Sequence, residues 1–358
     1  MAYVSRHLNE IEQCVLRPAD FSLSDEQQAL RDVVRTFLAK QCSSERVRAA
    51  EPLGFDADLW DELRELRLVA LGVPVADGGD GAGLIELVLV AEELGRAAAP
   101  VPLVDVVVAA RLFARLATDE ASAWRDRCLD GSLVVLGLGD PDPDGRVVVP
   151  SGAVADAVIA RRGDSIVQCD RMVPPVSVPN LASAPLAWWD IRDATVLASG
   201  EAAVAELARA EQEWRLLSAA ALIGVGESAN ALAAEYARER TAFGAPIGSF
   251  QAVAHPLADV TIAIESGRRL VRKAAWYADH EPEALGSLVT MAWVHANEAA
   301  EEAGSTAIRT QGGFGFMLES DVQLFFRRAK GWGLVGGDRP GHLQDIADEL
   351  LGPRESQS

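Results

Sequence analysis

Cysteine is scarce in this 358-residue chain, which has four cysteines and no C-x-x-C pair. They stand far apart in the sequence, at Cys14, Cys42, Cys128 and Cys169. Zinc modules need closely spaced thiols, and disulfide scaffolds are short and cysteine-dense. The sequence therefore favours four unrelated thiols in a reducing compartment. The five histidines show no metal-ligand spacing either, so no metal site is predicted.

Basic charge is also in short supply, with 33 Lys and Arg against 53 Asp and Glu and a net charge of −20. A chain this acidic repels phosphate backbones and anionic lipid. Nucleic acid and membrane surfaces are therefore poor partners. An anionic ligand would have to be held by local basic groups against the overall field.

Long uncharged apolar runs are missing as well. The first residues, MAYVSRHLNEIEQ, lack the apolar centre of a signal peptide, and no uncharged run approaches the roughly 18 residues needed to span a bilayer. Hydrophobic residues make up 49% of the chain and charged residues 24%, which is typical of a globular protein. We predict a soluble, cytoplasmic protein.

The order of patterns along the chain is helical, then β, then helical. Ser24 and Gln27 have the spacing of a capping box at the start of the first helix. From about residue 131, short β-branched runs alternate with Pro, Gly and Asp turns, and helical spacing returns near residue 202. We predict an extension (1–20), a helical domain (21–118), a β domain (119–205) and a helical bundle (206–358), with long helices at 206–240, 250–279 and 283–310.

The stretch YARERTAFGAPIGSFQAVAHPLADV, residues 236–260, reads as a helical hairpin. A long helix ends at Arg240 and Thr241, the chain turns through FGAPIG, and Ser249 is the predicted N-cap of the next helix. Arginines at a helix end beside a glycine turn could grip a phosphate. The same spacing also suits a plain hairpin whose arginines are solvated.

This hairpin resembles the acyl-CoA dehydrogenase pattern R-x-x-FG-x-x-I-x-x-FQ-x-x-x-H-x-LAD. The matching residues are Arg240, Phe243, Gly244, Ile247, Phe250, Gln251, His255, Leu257, Ala258 and Asp259. A second segment, AIRTQGGFGFMLESDVQLFFRRAKG, agrees with the family at Gly312, Gly313, Gly315, Phe316, Glu319 and RRAK. The resemblance covers about residues 21–351.

The resemblance implies an α+β fold with an N-terminal helical domain, a small central antiparallel β domain and a C-terminal four-helix bundle. It implies FAD between the β domain and the bundle, with the ADP half reaching into a neighbouring subunit. Arg240 would contact the pyrophosphate, with Phe243 and Gln251 beside the adenine end. Gly312 and Gly313 would let the backbone approach the cofactor closely.

The family reaction acts on an acyl thioester such as an acyl-CoA. A glutamate removes a proton from C2, and a hydride leaves C3 for the flavin, giving the 2,3-enoyl product. An electron-transfer flavoprotein or a similar acceptor is a possible partner of such an enzyme.

Two departures from the family concern the cofactor. The family's Thr/Ser-Glu-Pro-x-Ala-Gly-Ser-Asp segment corresponds here to GLGDPDPDG, which has no hydroxyl and much negative charge. The family glutamine before the glycine pair aligns with Arg309, which could still serve a phosphate, and Gln311 takes a position often held by His. His255 in the hairpin is interpreted as a packing or hydrogen-bonding residue.

The third departure concerns the base. The two family positions for the glutamate fall on Gly336 and Trp214, and neither side chain can accept a proton. Glu213 is a weak candidate because one residue rotates a helix by about 100°, and we interpret it as a solvated helix-face residue. Glu211 and Asp338 are discounted on the same grounds of register and reach.

Gly336 also closes the spacing G-x-G-x-x-G with Gly331 and Gly333. A dinucleotide turn must follow a strand and open a helix. LFFRRAK before this segment is helical, and DRPG after it breaks structure. We predict that the match is accidental.

These features lead to three hypotheses. The first is a subunit of a hetero-oligomeric acyl-CoA dehydrogenase, which lacks its own glutamate and completes the FAD site of a homologous partner. The second is a self-sufficient homo-oligomeric flavin dehydrogenase that uses Glu213 or another base. The third is a structural partner without FAD.

Overall fold

The computed structural model describes residues 22–171 and 175–352, and it shows the predicted α–β–α order. The helices before the strands are α1 (Asp25–Gln41), α2 (Ser44–Ala49), α3 (Ala57–Glu65), α4 (Leu84–Arg96), α5 (Leu103–Leu116) and α6 (Asp119–Leu129). The predicted capping box is confirmed, because Ser24 and Gln27 each accept a hydrogen bond from the other's backbone N–H. α6 lies inside the segment assigned to the β domain, so the helical part continues to Leu129. The domain limits remain predictions.

The strands form two small sheets. They are β1 (Val134–Leu136), β2 (Arg146–Val149), β3 (Ala157–Arg162), β4 (Ser165–Asp170), β5 (Val176–Ser177), β6 (Ala187–Asp190) and β7 (Thr195–Ser199). One sheet has the order β1-β3-β4-β7 and the other β2-β6-β5. The pairs are antiparallel as predicted, with one correction: β1 and β3 are parallel. They share a direction because the chain passes through β2, in the other sheet, between them.

The C-terminal part contains α7 (Glu201–Glu239), α8 (Gln251–His280), α9 (Leu288–Gln311), α10 (Asp321–Val335) and α11 (Arg339–Leu351). The short strands β8 (Thr241–Ala242) and β9 (Ala245–Pro246) form the hairpin between α7 and α8. The three predicted long helices are thus present with bounds shifted by a few residues. The predicted N-cap at Ser249 is wrong: its hydroxyl donates to Pro246 O within a 3-10 turn, and Phe250 precedes α8.

α7 lies at the centre of the bundle and is long and apolar enough, by length and composition, to cross a membrane. However, 67% of its most apolar window is buried inside the protein, as in the core helix of a globular fold. α4 packs directly on α7 at Gly95 and Gly224, where an added Cβ would meet the backbone of Ala221 and Glu92 respectively. The N-terminal helices and the bundle are therefore in close backbone contact at these two glycines.

Candidate functional site

Gly336, one of the two family base positions, is closed to any acidic side chain. It is the C-cap of α10, and a Cβ added there would collide with the ring of Trp293. Gly331 and Gly333 lie within α10, where added side chains would meet Ala182 and Asn297. These glycines serve close packing of a helix, which confirms that the G-x-G-x-x-G spacing is not a dinucleotide turn.

Trp214, the other family base position, lines a cavity of about 130 Å³ at the junction of the three regions. The N-terminal part contributes Gly54, Leu94, Ala99, Pro100, Val101, Val104 and Asp105, the β part Pro150, Ser151 and residues 183–186, and the bundle Trp214, Ser218, Ala221, Leu222, Arg328, Trp332 and Val335. The walls are mostly apolar. Such a junction cavity with few polar groups is the usual form of a small-molecule site.

Among the described residues that line this cavity, Asp105 of α5 is the one acidic residue. It was missed in the sequence analysis. Its Oδ1 accepts the indole N–H of Trp214 at 2.8 Å, and its Oδ2 accepts the hydroxyl of Ser151 at 2.8 Å. Burial raises the pKa of Asp105, against the two hydrogen bonds that favour its charged form. The signal available in the sequence was a lone acid in the apolar helix LVDVVVAARLFARL.

The backbone around the cavity is strained at two serines. Ser151 and Ser183 both have left-handed backbone conformations, with φ of 56° and 47°. Such a conformation costs a non-glycine residue about 1 kcal/mol or more, and it concentrates at functional sites. Ser151, which has this backbone conformation, donates its hydroxyl to the buried carboxyl of Asp105.

Arg328 is the cation of the cavity wall and connects all three regions. Its guanidinium donates to Glu51 Oε1 at 2.9 Å and to the carbonyl of Ala182, while Arg327 beside it also binds Glu51. Burial lowers the pKa of Arg328 to about 10, opposed by the charge of Glu51. Arg328 is therefore still a cation at neutral pH.

Glu213 lies outside the lining of this cavity, and its interpretation as a solvated residue is wrong. Only 3% of the residue is exposed. Arg111 donates to both carboxylate oxygens at 2.9 and 3.2 Å, and Arg115 adds a third bond at 3.0 Å. Burial raises the pKa of Glu213, but Arg115 and Arg111 outweigh it and hold the pKa below its usual value. A buried carboxylate held ionised by two partly buried arginines is a poor proton acceptor.

The hairpin residues are on the outer surface. Arg240 follows the last residue of α7 and is exposed, and no described carboxylate lies within ion-pair distance of it. Phe243 is 98% exposed, with its ring 6.2 Å from that of Phe250. Gln251 is exposed in the first turn of α8, and so is His255, for which a packing role within this chain is not supported.

The glycine pair of the second motif and the neighbouring Arg309 are also on the surface. Gly312 has φ 63° and ψ −137°, a conformation open essentially to glycine alone, and both Gly312 and Gly313 face open space. Arg309 binds Glu302 Oε1 at 2.6 Å and Thr306 Oγ1 at 2.8 Å, yet its side chain is 65% exposed. Gln311 instead accepts a bond from Ser320.

A groove brings the start of α8 and the end of α9 together. Its lining includes Val253 and Pro256 on one side and Arg309 and Thr310 on the other. The groove therefore lies next to Gly312 and Gly313, which follow Thr310 and Gln311 at the end of α9.

The segment 137–145 forms a network of its own. The carboxylate of Asp142 accepts the N–H groups of Asp144 and Arg146 and binds the guanidinium of Arg146. The N–H of Gly139 is taken by Glu211 Oε1. Several backbone donors of this segment are therefore already satisfied within the chain.

Two family models match the chain. Residues 207–351 match acyl-CoA dehydrogenase, C-terminal domain, and residues 24–129 match acyl-CoA dehydrogenase, N-terminal domain. The acyl-CoA dehydrogenase IpdE2 of Mycolicibacterium smegmatis is 30% identical over 92% of this chain and 100% of the relative. This chain belongs to the acyl-CoA dehydrogenase family.

Solved structures of acyl-CoA dehydrogenases agree with this assignment. A chain of the ChsE4-ChsE5 complex from Mycobacterium tuberculosis has a TM-score of 0.81 and 27% identity, covering 94% of this chain and all of that one. A Tcur3481-Tcur3483 steroid acyl-CoA dehydrogenase has a TM-score of 0.81 and 28% identity, with coverages of 92% and 98%. The predicted family and fold class are confirmed.

Acyl-CoA dehydrogenases bind FAD and oxidise a CH–CH bond of an acyl-CoA, with FAD taking up the electrons. The surface groups of this chain fit one half of that cofactor, since exposed arginines and open glycines suit a diphosphate. The segment 137–145 offers fewer free backbone donors to a flavin ring, because Glu211 accepts the N–H of Gly139 and Asp142 accepts the N–H groups of Asp144 and Arg146. No group of metal-ligating side chains occurs in residues 22–171 and 175–352.

Proposed function

We propose that this chain is a subunit of a hetero-oligomeric, FAD-dependent acyl-CoA dehydrogenase and completes the FAD site of a homologous partner subunit. The observation that carries the proposal is the separation of two sets of residues. Arg240, Gly312 and Gly313 are exposed on the outer surface, whereas the cavity of this chain is lined by other residues. Groups presented outward serve a cofactor bound by another chain.

The apolar surface beside these groups supports a subunit contact. Phe243 is 98% exposed, Phe316 and Leu318 are each 71% exposed, and Phe314 and Met317 are half exposed. A run of exposed large apolar side chains such as residues 314–318 usually marks an interaction surface. In this proposal the partner covers them, with Phe243 and Gln251 beside the adenine end of FAD.

The partner also supplies the glutamate and the flavin-ring contacts of that site. Gly336 and Trp214 carry no acid, Glu213 is neutralised by arginines, and the segment 137–145 is self-contained. The ChsE4-ChsE5 complex and the Tcur3481-Tcur3483 enzyme are named as pairs of chains, which favours a paired assembly here. The proposed substrate is an acyl-CoA of fatty acid or steroid degradation in the cytoplasm, with an electron-transfer flavoprotein or similar acceptor.

The test measures flavin bound to the complex of this chain with a co-expressed partner. Arg240→Ala removes the proposed pyrophosphate contact, so we expect at least tenfold weaker FAD binding, since a charge-assisted bond contributes about 1.5–3 kcal/mol. Arg269→Ala is the matched control, because Arg269 is exposed on α8 about 27 Å along the helix from Gln251. Equal FAD affinity for the two variants would overturn the proposal.

The second hypothesis, a self-sufficient enzyme, loses Glu213 as its base but gains another carboxyl in Asp105. A chain that is yellow when purified alone, with one flavin per chain, would favour it. A chain that is colourless alone and leaves the partner's FAD affinity unchanged would favour the flavin-free structural role.

A further inference from the structure

The cavity of this chain contains a carboxyl for which the family pattern gives no role. Asp105 is buried, faces the cavity and meets uncharged donors, the indole of Trp214 and the hydroxyl of Ser151. Trp214 occupies a family base position, and its N–H reaches across to α5. The acid absent from α7 is therefore present in the same cavity on the neighbouring helix.

We propose that Asp105 is the proton-accepting residue of this cavity and takes the C2 proton of an acyl thioester bound there. The proposal rests on the family chemistry of the proposed function but not on the partner's FAD site. It concerns the cavity, whereas Arg240 and the glycines concern the outer surface. The chain can complete a partner's FAD site and still carry this carboxyl.

The proton-transfer step balances within the site. The C2–H bond breaks, its electron pair stays on the substrate as the thioester enolate, and the proton moves to a carboxylate oxygen of Asp105. Arg328 contributes positive charge to the same cavity, which stabilises the enolate. The reverse step returns a proton from Asp105 to C2.

The size of the cavity limits what reaches Asp105. Its volume of about 130 Å³ is slightly smaller than that of an apolar cavity of roughly 150 Å³ that holds one benzene molecule in another protein. It therefore accepts the first carbons of an acyl group, and a longer ligand must extend outward. Butyryl-CoA is the appropriate probe.

The groups around Asp105 determine how its proton transfer depends on pH. Trp214 from α7 and Ser151 from the turn after β2 donate to it, and Arg328 from α10 lines the cavity while bound to Glu51. On its own helix, Arg111 is engaged by Glu213. The pKa of Asp105 is raised by burial because no described cation forms an ion pair with it.

The experiment follows deuterium incorporation at C2 of butyryl-CoA in D2O, which needs no net oxidation. The full-length chain is used with any subunit that co-purifies. We expect Asp105→Asn to slow exchange at least about 100-fold, the usual contribution of a general base. Asp126→Asn, the same change on the surface of α6, should leave the rate unchanged. Exchange in Asp105→Asn within about threefold of the wild type, or none in the wild type, would overturn the proposal.

A pH profile separates proton transfer from a purely structural role. Ser151→Ala and Trp214→Phe each remove a donor that favours the carboxylate, so the midpoint of the rising exchange rate should move to higher pH. A midpoint that stays in place in both variants would contradict the role of Asp105. This test also serves if Asp105→Asn fails to fold. If Asp105→Asn loses deuterium exchange but keeps its FAD affinity, the result supports the role of Asp105 independently of the FAD-binding test at Arg240.

Discussion

Asp105 and Glu213 are both buried acids on packed helices, yet their surroundings give them opposite properties. Glu213 is bound by Arg111 and Arg115, and its pKa is lowered. Asp105 has only an indole N–H and a hydroxyl, and its pKa is raised. Burial alone therefore says little about a carboxyl, because the charge of its partners decides whether it is fixed as an ion or can exchange a proton.

The largest expected effect is at Glu213. Glu213→Gln keeps the shape of the side chain but leaves Arg111 without its ion-pair partner and Arg115 with Glu206 alone. Breaking a buried ion pair from one side typically costs about 3 kcal/mol or more. We expect the free energy of unfolding in urea to fall by about that amount at neutral pH.

Glu206→Gln is the control for this change. Glu206 lies on the same helix and binds Arg115 at 2.7 Å, but its side chain is 35% exposed. Partly exposed pairs contribute about 1 kcal/mol or less. If the two variants lost equal amounts of unfolding free energy, Glu213 would not be held in a buried ion pair with Arg111 and Arg115.

Asp105→Asn should have a smaller effect of the opposite sign. Below the unfolded pKa of about 3.9 the wild-type carboxyl is protonated in both states and carries no ionisation penalty. Because the folded pKa is raised, the wild type loses stability as pH rises from the unfolded to the folded pKa. Asn does not ionise, so its unfolding free energy relative to wild type should increase through that window and then level off.

Urea unfolding of both proteins from about pH 4 to about pH 8 tests this sign. Glu213→Gln gives the opposite trend, because a lowered pKa adds stability above the unfolded value that disappears as pH falls. A pH-independent difference between Asp105→Asn and wild type would mean that Asp105 ionises as readily in the fold as in the unfolded chain.

Sequence reasoning gave the fold but not the environment of these acids. The α–β–α order and the long helices were predictable because apolar periodicity is a local property of the sequence. The hairpin and glycine motifs likewise carry the family resemblance within short segments. The burial of Glu213 was not, since α7 is enclosed along much of its length and its partners Arg111 and Arg115 lie about 100 residues earlier. Helical spacing alone cannot show which distant helix covers a given face.

The sequence alone shows that two family positions carry no acid, but it does not show where a buried acid lies. Gly336 and Trp214 carry no acid whatever the packing around them, whereas Asp105 becomes visible only when α5 is placed against α7. A single acid among Leu, Val and Ala residues is nevertheless a readable anomaly, because an ionised side chain is rarely buried without a partner. A single acid in an apolar helix can therefore be named as a candidate site residue from the sequence alone.

Ser151→Ala has the smallest expected effect and examines the hydrogen bond itself. The variant keeps the backbone and loses one bond to Asp105, so we expect about 1 kcal/mol less stability. The loss should be larger above the folded pKa of Asp105, because a hydroxyl donating to a carboxylate makes a stronger bond than one donating to a neutral acid. Ser249→Ala, which removes an exposed turn hydroxyl, is the control and should cost less at every pH. If the loss at Ser151 does not vary with pH, Asp105 keeps one protonation state throughout the range measured, and the predicted pH-dependent contrast with Glu213 is wrong.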